Sequence, residues 1–336
     1  MVTLPCMTAP KVLFIGGSGV ISSASTRLAV ERGIDLHVLN RGESATRPLP
    51  PGVTRHRADV RDAASVRSAL GDHEFDAVVD WVAFTPEHVR TDIDLFTGRT
   101  GQYVFISSAS AYQTPPARVP VVESTPLRNP FWQYSRDKIA CEDVLVAAYR
   151  ESGFPATVVR PSHTYDRTLV PLDGGWTAIE RMRQGKEVVV HGDGTSQWTL
   201  THHEDFAKGF VPLLGHPRAV GDTFHITSDD APTWNQITHA LAAAAGVEAR
   251  IVHVPSDAIA AADPEWGAGL LGDKAHSMVF DNTKLRSIVP DFCAAIPFEQ
   301  GAREIVEWHD AEPARKAVDA RMDALMDALV ARYRVT

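Results

Sequence analysis

An apolar run and a cluster of glycines adjoin in the stretch Lys11-Val12-Leu13-Phe14-Ile15-Gly16-Gly17-Ser18-Gly19-Val20-Ile21-Ser22. Its four consecutive apolar residues, without polar alternation, predict a strand covered on both faces, as in a parallel sheet. The glycines allow positive φ angles, and the segment from Ser22 to Gly33 is typical of a helix that ends in glycine. Backbone N–H groups at such a helix start, together with the helix dipole, hold a pyrophosphate. The motif therefore predicts a phosphate-binding turn, with an ordinary glycine-rich turn as the alternative.

A second apolar strand, from Ile34 to Leu39, ends in Asn40-Arg41. It begins about 20 residues after the glycines, where a dinucleotide-binding fold contacts the adenosine ribose. An acid at this strand end would bind the 2′-hydroxyl of NAD, whereas the Arg41 guanidinium suits the 2′-phosphate of NADP. We therefore expect NAD(P) as the cofactor, with NADP slightly preferred over NAD. The alternative is that Asn40 binds the ribose of NAD and Arg41 is a solvated loop residue.

Strands and helices alternate along the chain after these two strands. The further strands of the predicted sheet are 53–59, 75–82, 102–107 and 222–228, and the predicted helices nearby are 63–70, 86–96 and 134–152. This alternation predicts an α/β fold, a Rossmann-type doubly wound parallel sheet that binds its ligand at the carboxyl ends of the strands. The sheet domain is assigned residues 1–166 and 200–228, and a smaller, mixed α/β substrate-binding domain is assigned residues 167–199 and 229–336.

Composition excludes several classes of partner. The chain has 336 residues, a formal net charge of −9 and three cysteines. The acidic balance argues against binding of nucleic acid or anionic lipid, because affinity for phosphate depends on lysine and arginine. No apolar run reaches the roughly 18 residues that could span a bilayer. Cys6, Cys141 and Cys293 lack metal-ligand spacing, so we expect reduced thiols in a cytoplasmic protein, and we interpret residues 1–10 as a short tail.

Two motifs carry side chains suited to proton transfer. The strand predicted at 102–107 runs into Ser108, where the carboxyl end of a parallel strand meets its ligand. Tyr134 and Lys138 are one helical turn apart and share a helix face. A nearby ammonium lowers the pKa of a phenol, so Tyr134 could exchange a proton with a substrate oxygen held by Ser108 while hydride moves to or from the cofactor. A chance Tyr-x-x-x-Lys pattern and a serine-rich turn without function are the alternatives.

Together these motifs resemble the extended short-chain dehydrogenase/reductase family, the NAD(P)-dependent epimerase/dehydratase group. The resemblance covers residues 11–310 and is carried by Gly16-Gly17-Ser18-Gly19, Asp59-Val60, Ser108, Tyr134 with Lys138, 160–165, 192–205, 281–284 and 298–308. It implies that Tyr134 is the catalytic acid/base, that Lys138 lowers its pKa and binds the cofactor ribose, and that Ser108 donates a hydrogen bond to the substrate.

The resemblance also implies two sets of binding residues. The cofactor set is Gly16, Ser18, Gly19, Val20, Ile21, Asn40, Arg41, Asp59, Val60, Val82, Ala83, Tyr134, Lys138, Pro161 and His163. The substrate set is Ser108, Ser110, Tyr134, His163 and Trp198. The expected substrate is a small sugar-like or polyol molecule, and no metal site is expected.

The sequence departs from the family pattern at several positions. Ser22 replaces the third glycine, which requires a small adjustment in helix packing. Ala109 and Ser110 stand where dehydratase members carry an acidic pair, which argues against sugar 4,6-dehydration. His163 replaces an asparagine, and Trp198 replaces an arginine whose guanidinium clamps the diphosphate in nucleotide-sugar epimerases. We therefore expect a substrate other than a conventional UDP-sugar, with the Trp198 indole stacked on a ring; packing at a domain interface is the alternative for Trp198.

Two later segments have both structural and functional interpretations. The run from His202 to Asp205 contains zinc-ligand types, but adjacent histidines do not share a face, so we interpret Glu204 and Asp205 as first-turn carboxylates of a helix. Apolar residues recur at intervals of three and four between Val318 and Tyr333, which predicts an amphipathic helix. This helix is expected to pack on its own domain, and a homodimer contact is the alternative.

Three functions are compatible with these features. The first is an epimerase that oxidises a secondary alcohol of a sugar-like or polyol substrate and reduces the ketone again. The second uses the same residues as a net NADP-dependent reductase or dehydrogenase and releases the product. The third is a non-catalytic RNA-binding protein, because Phe14-Ile15-Gly16-Gly17 also resembles atypical superfamily members that bind RNA in chloroplasts. The presence of Ser108, Tyr134 and Lys138 and the acidic charge argue against the third. The sequence favours the epimerase.

Overall fold

The computed structural model describes residues 9–42 and 46–334, so Cys6 and most of the predicted tail lie outside the described residues. The strands are β1 (Lys11–Ile15), β2 (Asp35–Asn40), β3 (Thr54–Arg57), β4 (Ala77–Asp80), β5 (Tyr103–Ile106), β6 (Ala156–Pro161), β7 (His163–Tyr165), β8 (Glu187–His191), β9 (Leu200–His202), β10 (Thr223–Ile226) and β11 (Arg250–Val254). The α-helices are α1 (Val20–Glu31), α2 (Ala63–Leu70), α3 (Pro86–Phe96), α4 (Gln133–Ser152), α5 (Trp176–Arg183), α6 (His203–Phe210), α7 (Trp234–Ala244), α8 (Ser256–Ala262), α9 (Pro264–Gly269), α10 (Thr283–Arg286), α11 (Phe298–Asp310) and α12 (Ala320–Tyr333).

A parallel sheet forms the centre of the molecule. Within the described residues it has seven strands in the order β10-β6-β5-β4-β1-β2-β3, and every pairing in it is parallel. The chain order reverses between β1 and β4, and ligands of doubly wound sheets bind at such a reversal. The apolar residues of β1, from Val12 to Ile15, are fully buried, as a strand covered on both faces requires. The predicted Rossmann-type α/β fold is confirmed.

Helix α1 begins at Val20, so the predicted start at Ser22 was wrong by two residues. The cause is a local hydrogen bond, because the Ser22 Oγ accepts from the Gly19 N–H at 2.7 Å and closes the first turn of the helix. The hydroxymethyl at the position of the third glycine therefore has a capping role, and it is buried without disturbing the strand beneath it.

Smaller elements lie beyond the large sheet. Strand β8 pairs with β11, and β7 pairs with β9, both in parallel register. The predicted C-terminal helix exists as α12, and its buried side chains Met322, Met326, Leu329 and Val330 pack in a cluster with Val252 and Val254 of β11. Val318 precedes the helix and is exposed, so it lies outside the apolar face. The two-domain division of the chain and the homodimer stay predictions.

The two cysteines that the structure describes are free thiols, Cys141 buried and Cys293 exposed. Of the helices in residues 9–42 and 46–334, none combines the length and apolar character needed to cross a bilayer.

Candidate active site

The turn between β1 and α1 is shaped for close contact with an anion. Gly16 and Gly17 have φ angles of 108° and 93°, a backbone region that residues other than glycine rarely adopt. A Cβ on Gly17 would lie 3.1 Å from Val38 Cγ1, and one on Gly16 would lie 3.1 Å from Trp81 Cβ. The first turn of α1 carries no acidic side chain, so its dipole and backbone N–H groups can bind a negative ligand. These features fit the pyrophosphate of a dinucleotide.

A cavity of about 600 Å³ opens beside this turn, at the carboxyl ends of β1, β2 and β4. Its lining includes seven predicted cofactor residues, Gly16, Ser18, Asn40, Arg41, Asp59, Val60 and Val82. Gly19, Val20 and Ile21 lie at the start of α1. Ala83, Pro161 and His163 are not part of the lining. The volume is of the size expected for a small-molecule site.

The outer end of this cavity is basic. Arg41, Arg47, Arg55 and Arg61 all line it. Arg47 also forms a bidentate ion pair with Asp166, in which the Nε–Oδ2 distance is 2.6 Å and the Nη2–Oδ1 distance is 3.2 Å. This ion pair joins the segment after residue 45 to the segment after β7 across the cleft. Sequence analysis did not predict it, because the two partners are far apart in the chain and neither belongs to a motif.

The structure brings Tyr134 and Ser108 together behind Phe84, a lining residue of the cavity whose ring lies 6.5 Å from that of Tyr134. Burial raises the pKa of the Tyr134 phenol to about 12, the Ser108 hydroxyl lowers it in part by hydrogen bonding, and the charge of Asp273 raises it. The expectation that Lys138 holds this pKa below the ordinary value is therefore wrong for the protein alone. Desolvation is the larger effect, since it disfavours the charged phenolate. At pH 7 the phenol carries its proton.

Lys138 is buried one helical turn beyond Tyr134. Its ammonium donates hydrogen bonds to the Ala83 carbonyl at 2.7 Å and the Ile106 carbonyl at 2.8 Å, and it lies 5.8 Å from the centroid of the Tyr134 ring. It also lies 4.7 Å from the ring centroid of Phe84, which lines the cofactor cavity. Burial lowers the pKa of Lys138 to about 8. The side chain thus links the end of β5, the segment after β4 and the face of α4 that carries the phenol.

Ser110 makes its side-chain hydrogen bonds within the protein. It is buried, and its Oγ lies 2.8 Å from the Ser108 Oγ and accepts a hydrogen bond from the Ser135 Oγ at 2.7 Å. The contact of Ser110 with the substrate therefore stays a prediction, and in this structure the Ser110 hydroxyl joins Ser108 to Ser135.

The structure corrects the prediction that the Trp198 indole stacks on the substrate. Only 1% of the residue is exposed, and its ring lies 6.4 Å from that of Trp234 in the apolar core of the smaller elements. It therefore offers no open face for stacking on a substrate, and the packing alternative is correct.

His163 lies at the start of β7, where burial and the positive charge of Lys274 lower its pKa to about 4, so its imidazole is neutral.

The run from His202 to Asp205 makes contacts within the fold. His202 Nε2 lies 3.1 Å from Glu304 Oε2, and His203 Nδ1 lies 3.1 Å from the Val20 carbonyl oxygen. Glu204 and Asp205 occupy the first turn of α6, as predicted. These contacts give the segment a structural role, which ties α6 to α1 and α11.

Asp273 is a charged group of the cleft that sequence analysis missed. It lies in a π-helix formed by Leu270–Lys274, and it is partly buried with no hydrogen bond or ion pair among the described residues. Burial raises its pKa to about 7, while the charge of Lys274 opposes this shift. Its charge in turn acts on the Tyr134 phenol. The surrounding sequence is rich in glycine and alanine and gave no signal for it.

The π-helix is joined through Asn129 to the turn after β5, which carries Ser108 and Ser110. Asn129 Nδ2 donates to the Ser110 carbonyl at 2.9 Å and to the Gly272 carbonyl at 2.6 Å. A Cβ on Gly272 would lie 2.7 Å from Trp132 Cβ, so glycine is needed for this close approach. The backbone next to Asp273 is therefore held against Asn129 and Trp132.

Comparison with known proteins identifies the family. The family model described as NAD dependent epimerase/dehydratase matches residues 12–227. The chain belongs to this family. The match spans the glycine-rich turn after β1, the turn after β5 that carries Ser108, and α4. The resemblance predicted from the motifs is therefore confirmed. Members of this epimerase/dehydratase family are NAD(P)-dependent enzymes.

Relatives in the epimerase/dehydratase family include both reductases and epimerases. The chain is 27% identical over 295 residues to 2′-dehydrokanamycin reductase of Streptomyces kanamyceticus, covering 84% of this chain and 80% of the relative. It is 30% identical over 167 residues to UDP-glucose 4-epimerase of Lactobacillus helveticus, covering 45% and 50%. The structure of UDP-glucose 4-epimerase from Thermotoga maritima with UDP-glucose superposes with a TM-score of 0.72 at 19% identity, covering 90% of this chain and 99% of that one. The last comparison shows the shared fold.

Proposed function

We propose that the protein is an NADP-dependent reductase that converts a ketone on a sugar-like ring to a secondary alcohol and releases the product. The observation that carries this proposal is the Tyr134 phenol hydrogen-bonded to Ser108 and packed against Phe84, which lines a dinucleotide-sized cavity. A protonated phenol can donate its proton to a carbonyl oxygen, which is the reductive direction.

The chain's own residues supply binding and proton transfer. Ser108 donates a hydrogen bond to the ketone oxygen, and Tyr134 donates its proton to the same oxygen as the alcohol forms. A bound reduced nicotinamide supplies the hydride. The Lys138 ammonium donates to the Ala83 and Ile106 carbonyls and so holds the face of α4 that carries the phenol against the ends of β4 and β5. Water then returns the proton to Tyr134.

The basic rim of the cavity supports NADP as the cofactor. Arg41 follows β2 at the position that contacts the ribose, and Arg55 lines the same cavity from β3. Guanidinium groups suit a 2′-phosphate because they bind phosphate oxygens in a bidentate manner. A cofactor that is consumed and exchanged in each turnover also agrees with a net reductase. The 2′-dehydrokanamycin reductase covers more of this chain than the epimerase relative does, which supports the same direction.

Replacing Arg41 by serine is expected to weaken binding of NADPH by about 10- to 100-fold, which corresponds to the loss of a charge-assisted hydrogen bond. Binding of NADH should change by less than about threefold, because NADH lacks the 2′-phosphate. Fluorescence titration of the protein with each nucleotide measures both effects, and NADH serves as the internal control. An equal loss for both nucleotides would contradict the assignment of Arg41 to the 2′-phosphate.

Net reduction can be separated from epimerisation by cofactor use. The purified protein is given NADPH and a panel of keto-sugars, with and without a nucleoside diphosphate, and absorbance of NADPH is followed together with product mass. Stoichiometric loss of NADPH with gain of two hydrogens in the product is expected. Interconversion of epimers without loss of NADPH, by a protein that retains its nucleotide through purification, would instead establish an epimerase. The UDP-glucose 4-epimerase relative keeps that second candidate open.

We assign Asp273 to the substrate side of the proposed reaction. Its carboxylate has no hydrogen-bond partner in the part of the chain that the structure describes, and its charge acts on Tyr134, so it can accept a hydrogen bond from a hydroxyl or amino group next to the reacting carbon. The same position disfavours an anionic substrate group, because the approach of a like charge is repulsive. This agrees with the loss of the family arginine at the position of Trp198.

The pH dependence of stability tests the environment of Asp273. Its pKa in the folded protein is about 7, above the ordinary value of 3.8. The unfolded chain therefore loses this proton first, and stability falls as pH rises from about 4 to about 7. The variant Asp273→Asn does not lose stability in this way. The melting temperature of the variant minus that of the native protein should therefore be larger at pH 8 than at pH 5. The exposed Asp291 provides a control, since Asp291→Asn should follow the native pH profile; a parallel profile for Asp273→Asn would disprove the assignment.

A further inference from the structure

Three histidines converge at the edge of the large sheet, outside the site described above. His37 lies in β2, His56 in the edge strand β3, and His73 in the loop between α2 and β4. None of them lines the cofactor cavity. One ring nitrogen from each lies within 4.8 Å of the other two, and the closest pair, His37 Nδ1 and His56 Nε2, is 2.8 Å apart.

The remaining ring nitrogens have partners that orient the rings. His56 Nδ1 lies 3.0 Å from the Ala69 carbonyl oxygen, so it carries the hydrogen and leaves Nε2 with a lone pair. His37 Nε2 lies 3.6 Å from Asp35 Oδ1. Metal-binding histidines usually donate their second ring N–H to a carbonyl or a carboxylate, as His56 does. His56 therefore already has the surroundings of a metal ligand, and Asp35 places a negative charge near the His37 ring.

The third ring is on a loop that can approach the other two. The Lys11 ammonium donates a hydrogen bond to His73 Nδ1 at 2.8 Å, so the hydrogen of the neutral ring lies on Nε2, and the Nδ1 lone pair must leave Lys11 before it can bind a metal. The His73 carbonyl accepts from Arg99 Nη2 at 2.9 Å, so the loop backbone is held while the exposed side chain can turn.

We propose that His37, His56 and His73 bind one divalent transition-metal ion, and that Zn²⁺ fits this site best. Zinc accepts three imidazole nitrogens at about 2.0–2.1 Å and completes a tetrahedron with water. Such a site places ligand nitrogens roughly 3.3 Å apart, as follows from those bond lengths. To bind the ion, the distance between His37 Nδ1 and His56 Nε2 increases by about half an ångström, and the exposed His73 ring moves toward these two nitrogens. Asp35 offsets the positive charge of Lys11, which otherwise opposes a cation.

The bound ion joins three segments that the sheet alone holds weakly. Among residues 9–42 and 46–334, strand β3 is the outermost strand of the sheet, and only β2 pairs with it. A ligand from β2, one from β3 and one from the loop before β4 fix this edge. The ion thus stabilises the part of the fold that carries Arg55 and Asp59 into the cofactor cavity.

The test uses the full chain without an affinity tag, since a histidine tag would bind the same ions. The protein is dialysed against ZnCl₂, then against metal-free buffer, and its zinc content is measured by mass spectrometry together with its melting temperature. We expect one retained Zn²⁺ per chain and a higher melting temperature that returns to the starting value with chelator. His56→Gln and His73→Gln should each weaken zinc binding by more than about 10-fold, a loss that even partners of metal ligands cause.

A matched control separates this site from general binding of zinc to surface histidines. His239 is exposed on α7 and makes no hydrogen bond among the described residues, so His239→Gln should retain zinc as the native chain does. His73 is exposed, so His73→Gln should fold normally without metal, which circular dichroism checks. Equal zinc retention by the native chain, His56→Gln and His73→Gln would overturn the proposal. So would a native chain that retains no zinc.

Discussion

Replacing Tyr134 by phenylalanine is expected to lower kcat by about two to four orders of magnitude, the usual range for loss of an acid–base group. The substitution removes the proton donor and one of the two hydroxyls that hold the ketone oxygen. The ring remains, so its contacts with Trp132 and Phe84 persist and the fold is preserved. Affinity for NADPH should change by less than about threefold, because the hydroxyl lies at the substrate end. Steady-state kinetics with the substrate found in the keto-sugar panel and nucleotide titration measure the two quantities.

The same helix supplies a control for this variant. Tyr149 lies on α4, and its ring is exposed to solvent. Tyr149→Phe should therefore leave kcat unchanged. If Tyr134→Phe also retains full activity, then the phenol does not transfer the proton and the proposed reductase mechanism fails.

The largest effect on stability is expected from Glu142→Ala, which should lower the free energy of unfolding by about 3–5 kcal/mol. Glu142 is buried and forms a bidentate ion pair with Arg160, with distances of 2.9 Å to Nε and 2.5 Å to Nη2. It also accepts a hydrogen bond from Ser107 Oγ at 2.5 Å, directly before the catalytic Ser108. The alanine variant leaves the Arg160 guanidinium buried without its counter-charge. Urea unfolding followed by circular dichroism measures the loss.

A double substitution distinguishes the unpaired charge from loss of packing. In Glu142→Leu with Arg160→Met, both charges are replaced by apolar groups, and such replacements are often neutral or stabilising. We expect the double variant to regain most of the stability that Glu142→Ala loses. A double variant as unstable as the single one would show that the hydrogen bond to Ser107 or the packing of the carboxylate, and not the buried charge, is responsible.

Local sequence patterns predicted the fold well because each depends on neighbouring residues. The apolar run before Gly16 and the helical spacing of Tyr134 and Lys138 are set by strand and helix periodicity, so their positions in the sheet and on α4 followed directly. Helix starts were less certain. The Ser22 hydroxyl moved the start of α1, which a count of apolar residues cannot detect.

The errors and omissions concern properties that depend on the whole fold. Trp198 was placed on the substrate by its position in a pattern, but burial decides whether a side chain reaches a ligand. The pKa of Tyr134 depends on desolvation more than on its helical neighbour. Asp273 and the ion pair of Arg47 lie in segments without any motif, and only the folded chain brings them to the cleft.

The amide of Asn129 limits how far Ser108 and Asp273 can move apart. One side-chain nitrogen donates to the Ser110 carbonyl and to the Gly272 carbonyl, so the turn that carries Ser108 is tied to the π-helix that carries Asp273. Separating these two segments would break two hydrogen bonds inside the protein at once. Under the proposed function, preorganisation of this kind reduces the entropic cost of positioning the reacting carbon.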